Sequence, residues 1–138
     1  VSSAERRGAA RRDGQGIDAD GLLRLAAAAA SEVKPTSLIR LDLRGLCAFT
    51  DHFLIASAPS TRQVVAIAER IEERLRQERV RMRHREGDQA SGWILLDYSD
   101  VIIHIFDDET RVYYDLEGLW ADAPQEDLLG REARTPVR

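Results

Sequence analysis

The side chains with chemistry to offer in this 138-residue chain fall into a few small groups. Asp51 and His52 are adjacent, and Asp97, Asp100, His104, Asp107 and Asp108 crowd one short segment. Carboxylates with a histidine are the donor set for a divalent metal or for acid–base work. Cys47 is the single cysteine, and Ser57 and Ser60 flank Ala58-Pro59. Each group also has a plainer reading. The acids stand at turns and helix starts, where aspartate bonds its own backbone. Side chains alternate along a strand, so His104 shares a face with Ile102 and Phe106, whereas Asp97 goes with Trp93 and Leu95. Cys47 lies in Gly45-Leu46-Cys47-Ala48-Phe49, a setting for a small buried hydrophobe, with His52 too far along the chain to read as an activating base. There is no Gly-x-Ser-x-Gly elbow. The expectation is a chain with no catalytic residue, no metal and no cofactor.

Phosphate binding is the strongest of the chemical readings. Ser57-Ala58-Pro59-Ser60-Thr61 joins a strand to a helix N-terminus, where free amides attract anions. The glycines that admit a phosphate to the backbone are missing, and proline removes a donor. A nucleotide-transferring enzyme would also need a close pair of carboxylates for Mg²⁺. The strand beginning near Leu38 offers only Asp42.

The elements that must position these residues are legible from patterning. Asp20 is placed to cap a first helix running to about Glu32, with Leu22, Leu23, Leu25, Ala26, Ala29 and Ala30 at helical spacing. Lys34-Pro35 ends it. Ser37 to Leu43 alternates as a strand, and Phe53 to Ala56 is an apolar, central one. Ser60-Thr61-Arg62-Gln63 reads as a capping box opening a second helix to about Arg79, with Val64, Ile67, Ala68, Ile71 and Leu75 on one face. Val80 to Arg85 is expected as an edge strand and 86–92 as a loop. Trp93 to Tyr98 and Val101 to Phe106, joined by Ser99-Asp100, form a hairpin. Asp107 or Asp108 caps a short helix through Tyr113, and the aromatic segment 114–120 lies back on the domain. The fold class is α/β (α+β), a mixed sheet covered by helices. Residues 1–17 read as a flexible arm, 18–124 as the domain and 125–138 as a flexible tail.

A net charge of −4, one lysine and arginines interspersed with acids argue against a protein that holds nucleic acid mainly through phosphates. The single cysteine and the lack of a long apolar run point to a cytoplasmic protein. The aromatics are more telling. Trp93, Tyr98, Tyr113, Tyr114 and Trp120 concentrate in the last third. Consecutive tyrosines cannot both point inward from one helix, so at least one faces solvent or a partner, where aromatics anchor interfaces. Packing on the sheet edge is the competing reading.

Read together, several segments resemble the ribosomal silencing factor (Iojap-like) family. They are Leu41-Asp42-Leu43-Arg44-Gly45-Leu46, Thr50 to Ser57, Ser60 to Val64, Gly92 to Phe106, Glu109-Thr110-Arg111, Tyr114-Asp115-Leu116-Glu117 and Leu119-Trp120. The resemblance covers about residues 20–124. It implies a nucleotidyltransferase-like fold without the catalytic carboxylates. It further implies binding to the fourteenth protein of the large ribosomal subunit, obstruction of the small subunit, repression of translation when nutrients are scarce, and an ability to form homodimers. Trp93, Leu95, Leu96 and Tyr114 match the family's contact surface, with His104, Asp97 and Leu116 as neighbours. Ala58-Pro59 departs from the family's usual Gly-Thr-type turn. An acidic chain of this kind is expected on a basic ribosomal protein, with little direct RNA contact. A nucleotide-handling enzyme of the same fold is the alternative.

Overall fold

The structure is a computed structural model that describes residues 16–130. Helix α1 (Ala19–Ser31) is followed by strands β1 (Ser37–Asp42) and β2 (His52–Ala58), helix α2 (Thr61–Gln77), strands β3 (His84–Asp88), β4 (Trp93–Asp97) and β5 (Val101–Asp107), two short helices α3 (Asp108–Tyr114) and α4 (Leu116–Leu119), and strand β6 (Gln125–Asp127). The strands form one six-stranded mixed sheet in the order β3-β4-β5-β2-β1-β6. Only β2 and β5 run parallel, and α2 belongs to the crossover between them. The other four pairings are antiparallel. Among the described residues no helix is long and apolar enough to cross a membrane.

Local chemistry explains most boundaries. Asp18, not Asp20, caps α1, its carboxylate accepting from the Gly21 amide at 2.9 Å. The helix starts earlier than expected because Ala19 is already on the buried stripe with Leu22, Leu23 and Ala26. Asp20 falls in the first turn, where it pairs with Arg24 at 3.0 Å and with Arg40. Ser60 caps α2 by accepting from the Gln63 amide at 3.2 Å. The return contact of the capping box is made between the two side chains. Strand β2 is buried along its whole length, as its unbroken apolar pattern requires for a central strand.

Two expectations are corrected. The edge strand is His84–Asp88 and not residues 80–85. Arg79 turns the chain with a positive φ of 61°, and the side chain of Val80 anchors the connector in the core, so pairing with β4 begins only at His84 opposite Asp97. The domain also continues past Pro124. Gln125–Asp127 pairs with the outer edge of β1, and Leu128 and Leu129 pack against the helix-side core. An unpaired β1 edge would leave a row of open amides and carbonyls, which β6 closes. At the other end Ile17, assigned to the arm, packs on the same core. The rest of the expected arm (1–15) and of the expected tail (131–138) lies outside the described residues.

The two faces of the sheet are covered unequally. On one, α1 and α2 seal Leu38, Leu54, Ala56, Ile94, Leu96, Ile103 and Ile105 into the larger core. The opposite face carries a smaller cluster around Leu41, Phe53, Ile55, Ile102 and Phe106. The pieces that cover it are short, and Trp93, Leu95, Leu116 and Trp120 on it are only partly buried. That asymmetry positions the candidate site.

Candidate functional site

The sparsely covered face is built by strict alternation. In β4 every second residue from Trp93 is half-exposed, while Ile94 and Leu96 point to the helices. Cross-strand register then sets Trp93 beside Phe106 and Leu95 beside His104, and His104 beside Ile55 of β2. The result is a stack of rings. The Trp93, His104 and Phe106 rings lie within 11° of parallel, with centroids 5.8–6.0 Å apart. Phe53 meets His104 edge-on at 4.5 Å, and Trp120 meets Phe53 edge-on at 6.0 Å. Tyr114 closes the outer side at 5.4 Å from Trp93, and Tyr113 stands edge-on against it.

His104 is fixed by one hydrogen bond. The Trp93 indole Nε1–H donates to His104 Nδ1 at 3.2 Å. An indole can only donate, so Nδ1 carries no proton and the neutral ring keeps its hydrogen on Nε2. That Nε2 is buried and has no partner among the described residues. Burial pushes the imidazole pKa down to about 4. The ring is therefore an uncharged spacer between aromatics at neutral pH.

The segment after β5 is held by caps. Asp107 accepts from the Thr110 amide at 2.7 Å to start α3. Asp115 takes up the left-handed conformation at φ 47°, ends α3 and caps α4 through the Gly118 amide. The Arg111 guanidinium donates to Glu117 across the two helices. Thr36 donates to Asp108 at 3.1 Å, tying α3 to the start of β1. Gly92 makes the join possible. It has φ +71°, and a Cβ there would lie 2.5 Å from Asp107 Oδ2 and 2.8 Å from Thr110 Oγ1. Gly92→Ala should lower unfolding free energy by about 1–2 kcal/mol for the backbone conformation alone, with the displaced cap adding to it. Urea melts of the two proteins would show it, and an unchanged midpoint would remove Gly92 from this role.

The residues predicted from sequence are sorted accordingly. Trp93, Leu95, His104, Tyr114 and Leu116 share the sparsely covered face, with His104 only 5% exposed beneath its neighbours. Leu96 does not belong with them. It is 0% exposed in the helix-side core, because neighbours on a strand face opposite ways. Asp97 lies on the right face but about 13 Å along the strand from Trp93, where its carboxylate accepts from the Ser99 amide at 2.8 Å. Sequence reasoning missed two exposed apolar side chains beside the tyrosines: Val112 at 77% and Leu119 at 74%, with Tyr113 at 81% and Tyr114 at 48%. Three apolar residues in succession, Val112-Tyr113-Tyr114, cannot share one helix face, and that was the available signal.

The other chemical groups are committed to structure. The backbone amides of Asp51 and His52 both donate to the Asp100 carbonyl at 3.1 Å, and burial lowers the pKa of His52. Asp42 is gripped by Arg44, Nε to Oδ1 at 2.9 Å and Nη2 to Oδ2 at 2.6 Å, which holds its carboxyl at about 2. Cys47 packs partly buried against the smaller core. Among the described residues no group of three His, Cys, Asp or Glu side chains is placed to hold a metal ion.

Comparison with known proteins agrees with this architecture. Residues 17–138 match a family described as "Ribosomal silencing factor during starvation". The Bacillus subtilis protein "Ribosomal silencing factor RsfS" is 37% identical over 107 residues, which is 78% of this chain and 91% of that one. The Mus musculus "Mitochondrial assembly of ribosomal large subunit protein 1" is 32% identical over 88 residues, 62% of this chain and 39% of that one. A crystal structure of a Chromobacterium violaceum protein superposes with a TM-score of 0.74 at 28% identity, covering 88% of this chain and all of the other. Family model, sequence relatives and superposed structure agree, and the chain belongs to the ribosomal silencing factor family.

Proposed function

We propose that this protein binds the large ribosomal subunit through its fourteenth protein, using the aromatic face of the sheet, and blocks joining of the small subunit. It acts in the cytoplasm as a repressor of translation when nutrients are limited, by occupancy and without turnover. The observation that carries the reading is the unequal covering of the sheet. A row of stacked rings ends in partly exposed Trp93 and Leu95 and exposed Tyr114, with Val112, Tyr113 and Leu119 standing out around it. Aromatic anchors of this kind dominate interface energetics, and large exposed apolar groups gathered together mark interaction sites.

Charge supports a basic partner. The segment 108–117 holds Asp108, Glu109, Asp115 and Glu117 against one arginine, Arg111. Such a rim steers encounter with a positive surface and discriminates against a negative one. The exposed apolar groups also suit a second copy of the chain, and a homodimer through this face would compete with the subunit. A nucleotide-handling role finds no support in the site, since Asp42 is occupied by Arg44 and the loop before α2 lacks glycine.

The decisive measurement is light scattering of purified large and small subunits mixed with and without the protein. Added protein should lower the yield of joined subunits in proportion to occupancy of the large subunit. Undiminished joining at saturating protein would sink the reading.

A further inference from the structure

The overall negative charge hides a strongly basic segment. Between residues 74 and 85 the chain places Arg74, Arg76, Arg79, Arg81, Arg83 and Arg85, with one acid, Glu78. The segment covers the end of α2, the connector and the start of the edge strand β3. This segment wraps a groove of about 340 Å³ between the end of α2 and the end of β4, lined by Glu72, Arg76, Arg79, Val80, Arg81, Met82 and Tyr98. Arg85 is paired with Glu72 at 2.5 Å and Arg83 approaches Asp97 at 4.0 Å. Arg76, Arg79 and Arg81 are exposed and make no ion pair among the described residues.

The groove has a floor that also looks outward. Tyr98 is only 6% exposed and lines the groove. Burial holds its hydroxyl protonated at any physiological pH, the pKa raised to about 12. The groove's one carboxylate, Glu72, is already engaged by Arg85, which leaves three exposed guanidiniums without an ion pair beside the Tyr98 hydroxyl, all of them able to donate. Guanidiniums match phosphate oxygens bidentately, so a phosphate is the ligand that satisfies them together.

We infer that this groove is a second docking surface, one that grips RNA phosphates. It rests on the proposed large-subunit function for its setting and extends it. Trp93 opens β4 on the aromatic face, and Tyr98 follows its last residue but packs on the helix-side core, so the groove lies about 15 Å along the strand and on the helix side of the sheet. A large subunit that takes the acidic-rimmed aromatic face against a basic protein would meet the arginine groove with RNA that reaches round the β3–β4 edge of the sheet. Several arginines spread over the end of α2 and the connector to β3 follow a run of phosphates better than they enclose a single ion. Phosphate contacts of this sort position a protein without reading sequence.

The test uses the full chain, with an Arg76→Gln, Arg79→Gln, Arg81→Gln variant and the same triple change to Lys. Binding to purified large subunits is measured from 50 to 300 mM KCl, and binding to a 20-base-pair RNA duplex at 50 mM. Each lost phosphate contact reduces the slope of log K against log salt by about 0.7–0.9. The Gln variant should lose about two units of slope on the subunit and lose duplex binding, while the Lys variant keeps most of both. A Trp93→Ala, Tyr114→Ala protein should bind subunits weakly with the wild-type slope. If the Gln variant shows wild-type affinity and slope, the groove makes no such contact. If its slope falls but the wild-type chain ignores the RNA duplex, the partner is an acidic protein and the RNA assignment is overturned. If the wild-type chain ignores large subunits yet binds the duplex through the arginines, the proposed function fails and the groove survives.

Discussion

A chain carrying both Trp93→Ala and Tyr114→Ala is expected to fold and to lose large-subunit binding by about 3 kcal/mol, near two orders of magnitude in affinity. Tyr114 is half-exposed and stacks on the Trp93 and Phe106 rings. It is rigid contact area already held in place, so little side-chain freedom is lost on binding. Trp93 supports Tyr114 from below and reaches the surface itself. Each single change should cost about 2 kcal/mol, and the pair less than the sum, because the rings touch. Trp93 also has an internal role, since its removal leaves His104 Nδ1 without a donor. Trp93→Phe separates the two effects: it keeps a ring in the stack and gives up the hydrogen bond. Co-sedimentation with large subunits, read alongside thermal melts of each protein, decides the matter. A folded double variant that still co-sediments at wild-type concentrations would place the contact surface elsewhere.

The same rings show what a sequence can and cannot yield. Alternation put Trp93, Leu95 and Asp97 on one face and His104 with Phe106 on one face, and the register of β4 against β5 made those two faces the same. The hairpin, the central β2 and the α2 cap were likewise local signals with local causes. Leu96 was misassigned despite the period of two that put its neighbour Leu95 outside. Motif resemblance runs along the chain and does not alternate; burial does. The length of β3 and the existence of β6 were not local questions. Residues 125–127 are polar and have no strand pattern of their own, and they become a strand because β1 needs an edge partner. Val80 is a core residue because the chain turns at Arg79, and no periodicity announces that. The net charge conceals a local feature. It is a sum over the chain, and a surface with six arginines in twelve residues vanishes in it.

Acid should expose the cost of burying His104. The ring is packed among Phe53, Trp93 and Phe106, and burial alone depresses its pKa from 6.5 to about 4. The unfolded chain takes up this proton near pH 6.5, whereas the folded chain resists it until about pH 4. Stability therefore changes little through this group above pH 6.5. It falls as pH drops through the window, because the unfolded state then holds more protons. The loss at pH 4 is about 3 kcal/mol, a large fraction of the roughly 5–15 kcal/mol typical of a folded domain. Protonation has a structural consequence too. Charged imidazole donates from both nitrogens, so Nδ1 can no longer accept from the Trp93 indole, and the ring stack that presents Tyr114 loosens. His104→Gln keeps an acceptor for the indole and cannot take the proton. Its unfolding free energy should be nearly level where the parent's falls, leaving the smaller contribution of buried His52, whose pKa is lowered in the same direction. Denaturant melts from pH 7 to pH 4, followed by tryptophan fluorescence, measure both effects. Parallel curves for the two proteins would mean that His104 is protonated in the fold at no cost, and that the hydrogen bond from Trp93 does not fix its tautomer.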